Sequence, residues 1–73
     1  MNLPTDWEIS HALWVTRKRL KLNQQQMADK LEISRPYLSL IERNETNIGL
    51  AIFRRILPLV EEVIEEMRDG QRD

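Results

Sequence analysis

The sequence predicts an all-α fold, a five-helix bundle in a single domain over residues 1–73. Three observations predict it. Apolar residues recur at helical spacing along the whole chain, and no stretch alternates as a strand does. A short polar residue precedes each early apolar run, where a helix N-cap belongs: Asp6, Asn23 and Ser34. The hydrophobic content of 41% over 73 residues is enough to close one small core. No apolar run approaches the ~18 residues of a membrane span.

Asp6 is read as the cap of a first helix running to about Leu20, with Ile9, Leu13, Thr16 and Leu20 as its inward stripe. Asn23, with Gln26 three residues on, forms a capping-box pattern. It opens a second helix, about Gln24 to Leu31, that buries Met27, Ala28 and Leu31. Ser34 opens a third, to about Arg43, with Leu38 and Ile41 inward. Residues 44–47 read as a loop, and Asn47 or Gly49 starts a fourth helix carrying Leu50, Phe53, Ile56 and Leu57. Pro58 is expected to end or kink it and to open a fifth, residues 58–69, which Gly70 terminates. Trp7 and Trp14 are expected to pack against that last helix, and Glu61, Glu62, Glu65 and Glu66 to form a solvated face.

The net charge of −1 is low for a nucleic-acid-binding domain, but it is unevenly spread. Residues 1–43 hold seven Lys/Arg against five Asp/Glu, a net of +2. Residues 44–73 hold four against seven, a net of −3. With no cysteine, disulfides, zinc-finger chemistry and thiol catalysis are excluded. His11 is a lone histidine, so no metal and no cofactor is expected. The chain lacks a Ser-His-Asp set and a Gly-rich phosphate loop, so it reads as a non-enzyme. The first residues show no signal-peptide pattern, and a cytoplasmic protein without a membrane partner is expected.

The functional signal lies in one spacing. Leu31 ends a helix and Ser34 caps the next, a connection so short that the two helices must cross steeply. Ala28 stands at the crossing, where a small residue lets the backbones approach. Met27, Leu31, Ile33, Leu38 and Ile41 face one core, which leaves Arg35, Pro36, Ser39, Leu40 and Arg43 outward. A helix presented this way fits the major groove of double-stranded DNA.

Residues 9–57 resemble the phage-repressor type of helix-turn-helix protein, the Xre or Cro/cI family. The motif, residues 23–43, carries Gln24, Ala28, Ile33, Ser34, Leu38, Ser39, Ile41 and Glu42 at family positions, and Arg17 matches an arginine late in helix 1. The resemblance implies a lambda-repressor-like DNA-binding domain and a sequence-specific transcriptional regulator of repressor type. It places base-edge contacts at Arg35, Pro36, Ser39 and Leu40, and phosphate contacts at Asn23, Gln24, Ser34, Tyr37 and Arg43. It also makes Arg17 and Glu42 a structural ion pair. The implied settings are a phage repressor, a restriction–modification controller, or an antitoxin that also grips a toxin protein. A second reading is a protein-interaction module that kept the fold without DNA binding.

The chain departs from the family pattern at Glu32 and Lys21, where glycine is common in the turns. A left-handed residue other than glycine costs about 1 kcal/mol. Pro36 disfavours helical geometry at Arg35, so either Ser34 or Arg35 is the cap. The last helix holds two apolar rows, Leu59/Val63/Met67 and Val60/Ile64. One row is expected to pack on helix 1, and the other to be buried against a second copy in a homodimer.

Overall fold

A computed structural model describes residues 3–70. Its described residues form four helices and no strand: α1 (Asp6–Arg19), α2 (Gln24–Leu31), α3 (Arg35–Glu42) and α4 (Leu50–Asp69). None of these helices is long and apolar enough to cross a membrane.

The helix starts follow local side-chain chemistry. At α1 the cap is Thr5, one residue ahead of the Asp6 expectation. The Thr5 hydroxyl accepts the Glu8 amide at 3.1 Å, and the Glu8 carboxylate accepts the Thr5 amide at 2.9 Å. This reciprocal box satisfies two otherwise orphaned donors, which a lone Asp6 would not do. Asn23 and Gln26 make the same box at α2, at 2.7 and 2.9 Å. At α3 the Ser34 hydroxyl accepts the Tyr37 amide at 3.2 Å, so Ser34 is the cap and Arg35 the first helical residue.

The first three helices end alike. Lys21, Glu32 and Asn44 each adopt a left-handed conformation, with φ of 58°, 58° and 56°. The next amide then folds back onto the helix: Leu22 to the Arg17 carbonyl, Ile33 to Ala28 and Glu45 to Leu40, at 2.9–3.1 Å. These bonds satisfy carbonyls left open at the helix ends. α1 stops at Arg19, so Leu20 lies past the last turn and is exposed instead of joining the inward stripe. Gly70 closes α4 with ordinary right-handed geometry.

Pro58 does not divide the C-terminal region. It lies inside one continuous helix of 20 residues, so the fourth and fifth expected helices are one. Proline in a helix interior costs ~3 kcal/mol, while burying one aliphatic side chain contributes ~1.5–3 kcal/mol. Ile56, Val60, Val63 and Ile64 span the proline and are all buried, which outweighs the cost. Pro58 is on the exposed side, where water can solvate the carbonyl that loses its partner.

The core joins Ile9, Ala12 and Leu13 of α1 to Met27, Ala28 and Leu31 of α2, Leu38 and Ile41 of α3, and the four buried residues of α4. Of the two rows expected to divide between helix 1 and a second copy, Val60 and Ile64 of one and Val63 of the other are all core residues of the single chain. Leu59 and Met67 pack partly against the same core. The reason is the merged α4: one unbroken helix presents both rows to α1 and α2 at once. Two ion pairs tie both ends of α1 to the last turn of α4: Glu8–Arg68 at 3.2 Å and Arg19–Glu66 at 2.6 Å. Trp7 and Trp14 do not pack on α4. They stay exposed on another side of α1.

Candidate nucleic-acid interface

The site is built on the α2–α3 pair. α3 buries Leu38 and Ile41 and turns Arg35, Pro36 and Leu40 to solvent, with Ser39 at the margin. Pro36 has no amide to lose in the first turn, and the Ser34 cap fixes the entry of the chain there. Arg35 makes no ion pair among the described residues, so its guanidinium is available.

Behind this face lies a three-residue cluster. Arg17 donates through Nε and Nη2 to the two Glu42 carboxylate oxygens at 2.8 and 3.0 Å, and through Nη1 to the Leu22 carbonyl at 3.1 Å. The two side chains are 9% and 4% exposed, so each charge depends on the other for solvation. The pair pins α1, the α1–α2 turn and the end of α3 together. Gln24, the first residue of α2, donates to the same Glu42 at 3.3 Å, which orients its amide at the helix N-terminus. Asn23 spends its side-chain oxygen on the cap. Backbone amides and a neutral amide side chain at a helix start suit an anionic oxygen.

Arg43 closes α3. Its Nε donates to the Ser39 carbonyl at 3.3 Å and faces Glu45 at 3.3 Å, yet the side chain is largely exposed. Tyr37 is half-buried. Its hydroxyl lies 3.5 Å from both the Asn47 carbonyl and the Gly49 amide, bracing the loop between α3 and α4. The site thus gathers Asn23, Gln24, Ser34, Arg35, Pro36, Ser39, Leu40 and Arg43 on the α2–α3 side, with Tyr37 beneath as a brace. The exposed glutamates 61, 62, 65 and 66 belong to α4.

Arg55 is a contributor that the sequence reading missed. From α4, its Nη1 donates to the Leu31 carbonyl at 3.1 Å and approaches the Glu32 carbonyl at 3.5 Å. It thereby caps the C-terminus of α2 and fixes the turn that presents α3. Nothing in the local pattern around residue 55 signals this, because the bond spans 24 positions.

The helix-turn-helix family matches residues 16–57, more than half of the chain. Among solved structures, the chain is similar to a point mutant of the restriction–modification controller protein C.Esp1396I. The TM-score is 0.69 at 26% identity, covering 85% of this chain and 84% of the other. Comparison with curated proteins finds no match.

Proposed function

Because the chain belongs to the helix-turn-helix family of the phage-repressor, Xre or Cro/cI type, we propose that it is a sequence-specific, double-stranded DNA-binding transcriptional regulator of repressor type that acts as a homodimer on a palindromic operator. The observation that carries this is the division of labour on α3. Leu38 and Ile41 anchor the helix, while Arg35, Pro36 and Leu40 stand clear of it. In this reading Arg35 donates to base edges, best suited to guanine, and Leu40 meets a thymine methyl. Gln24, Asn23, Ser34 and Arg43 hold phosphates on either side.

Of the biological settings the resemblance allows, a restriction–modification controller has the most support, since a protein of that kind shares the fold over most of both chains. In that setting the regulator controls a restriction operon and needs no toxin partner.

The test is a gel-shift against the DNA upstream of the protein's own gene, across a salt series. The expected result is a sharp complex whose log K falls with log salt by ~0.9 per phosphate contact, over several contacts. A flat salt response from folded protein would remove the DNA-binding reading.

A further inference from the structure

The exposed face of α1 carries a ladder of rings that this function leaves unused. Trp7, His11 and Trp14 follow one another at i, i+4 and i+7. The Trp7 and His11 rings stack with centroids 5.5 Å apart and planes 1° from parallel. His11 and Trp14 stack at 6.4 Å and 28°. The Lys18 ammonium closes the ladder, 5.7 Å from the Trp14 ring centroid. Trp7 and Trp14 remain 53% and 44% exposed. Two half-wet indoles flanking one imidazole on a small domain mark a contact surface.

Chemistry and position identify what the surface meets. The inner ring faces are turned toward one another and Lys18 covers Trp14, which leaves the outer face of Trp7, the ring edges and a cation for a partner. An indole N–H can only donate. Among the described residues the two indoles, the His11 ring and the Lys18 ammonium make no hydrogen bond. A donor-rich, cationic edge suits an acceptor-rich anionic rod better than it suits an apolar helix. The ladder also lines one open concavity with Ser10, Glu42, Arg43 and Asn44. It is therefore continuous with the far end of α3, where Arg43 is proposed to hold a phosphate. The nearby carboxylates are matched: Glu42 by Arg17, Glu45 by Arg43 and Glu8 by Arg68. Asp6 lies at the Trp7 end, beside the loop of residues 44–47, whose Asn44 also lines the concavity, and Lys18 lies at the other end of the ladder.

We propose that Trp7, His11, Trp14 and Lys18 form a second DNA-backbone contact, carrying the duplex outside the half-site that α3 reads. The inference rests on the DNA-binding reading above and extends it from α3 to α1. Sugar and phosphate groups pack on the ring edges, and Lys18 neutralises a phosphate. The contact adds affinity without sequence preference.

The test uses the full chain and a duplex that it selects from a randomised library. One probe ends at the outermost half-site base pairs, and a second extends about five base pairs further at each end, half a helical turn. The wild type is expected to bind the longer probe ~10-fold tighter. Trp7→Ala with Trp14→Ala, and separately Lys18→Gln, should bind both probes with the wild-type affinity for the short one. Lys18→Gln should also lower the salt slope on the long probe by about one. Circular dichroism and sedimentation should match the wild type. A wild type indifferent to length, or variants that keep the length gain, would overturn the inference and leave the half-site reading intact. Variants that keep the gain but change sedimentation would assign the ladder to a protein contact instead. Failure of the wild type to bind any duplex would overturn both readings.

Discussion

Arg17 and Glu42, 25 positions apart, meet in a bidentate pair whose two bonds measure 2.8 and 3.0 Å. Their near-complete burial makes them interdependent. Arg17→Met or Glu42→Leu alone should cost about 3–5 kcal/mol of folding stability, because the remaining charge is stranded. The double variant should cost less than either. Denaturant unfolding of the four proteins in the cycle checks this, and small additive effects would refute it.

Arg35 and Gln24 should separate base reading from phosphate binding. Arg35→Ala is expected to weaken the selected site by about 1–3 kcal/mol and to relax preference at one position. Gln24→Ala should weaken selected and scrambled duplexes by the same factor. Anisotropy titrations with both DNAs decide, and loss of specificity in both variants would mean that the contacts are sorted wrongly.

Glu32 carries its left-handed geometry without glycine's freedom. Glu32→Gly should therefore raise stability by up to about 1 kcal/mol. The exposed 3.9 Å pair with Arg55 that it removes is worth only a few tenths of that. The Arg55 bond to the Leu31 carbonyl remains. A lower thermal midpoint for the variant would show that the Glu32 carboxylate matters more than backbone strain.

Acid should loosen the attachment of α4 to α1. The Arg68 hydrogen bond is the main cause holding the Glu8 carboxyl below its ordinary pKa, and Arg19 does the same for Glu66. A folded-state pKa below the unfolded one gives stability that is complete above the unfolded value. That stability is lost as pH falls through the folded value. Glu8→Gln with Glu66→Gln should thus be less stable than wild type near neutrality, and the gap should close as pH drops below the ordinary carboxylate range. A gap that does not change with pH would show that neither pair titrates with folding.

What was legible in the sequence was local. Asn23 with Gln26, and Ser34, could be read as caps because a cap bonds within three residues. The Thr5–Glu8 box is equally local, and its Thr-x-x-Glu pattern is a stronger signature than a lone Asp6. Arg17 with Glu42 could be placed only through the family resemblance, since nothing within either helix announces a bond across 25 positions. The continuity of α4 through Pro58 is not legible locally, because the intrinsic cost of proline is local, whereas the burial that overrides it comes from α1 and α2. The same limit hid Arg55. For Trp7 and Trp14 the spacing gave the shared face correctly, but it could not say whether a neighbour covers that face.

The eight-residue lengths of α2 and α3 have a consequence for how recognition can be altered. Isolated helices below ~12–15 residues are marginal in water. A peptide comprising residues 34–43 would lack Arg17 against Glu42, Arg55 on the preceding turn and the core beneath Leu38 and Ile41, and it would have no fixed shape. α3 is not a cassette to be moved between scaffolds. On the proposed reading, new sequence preferences would come from exchanging side chains at Arg35, Pro36, Ser39 and Leu40 in place.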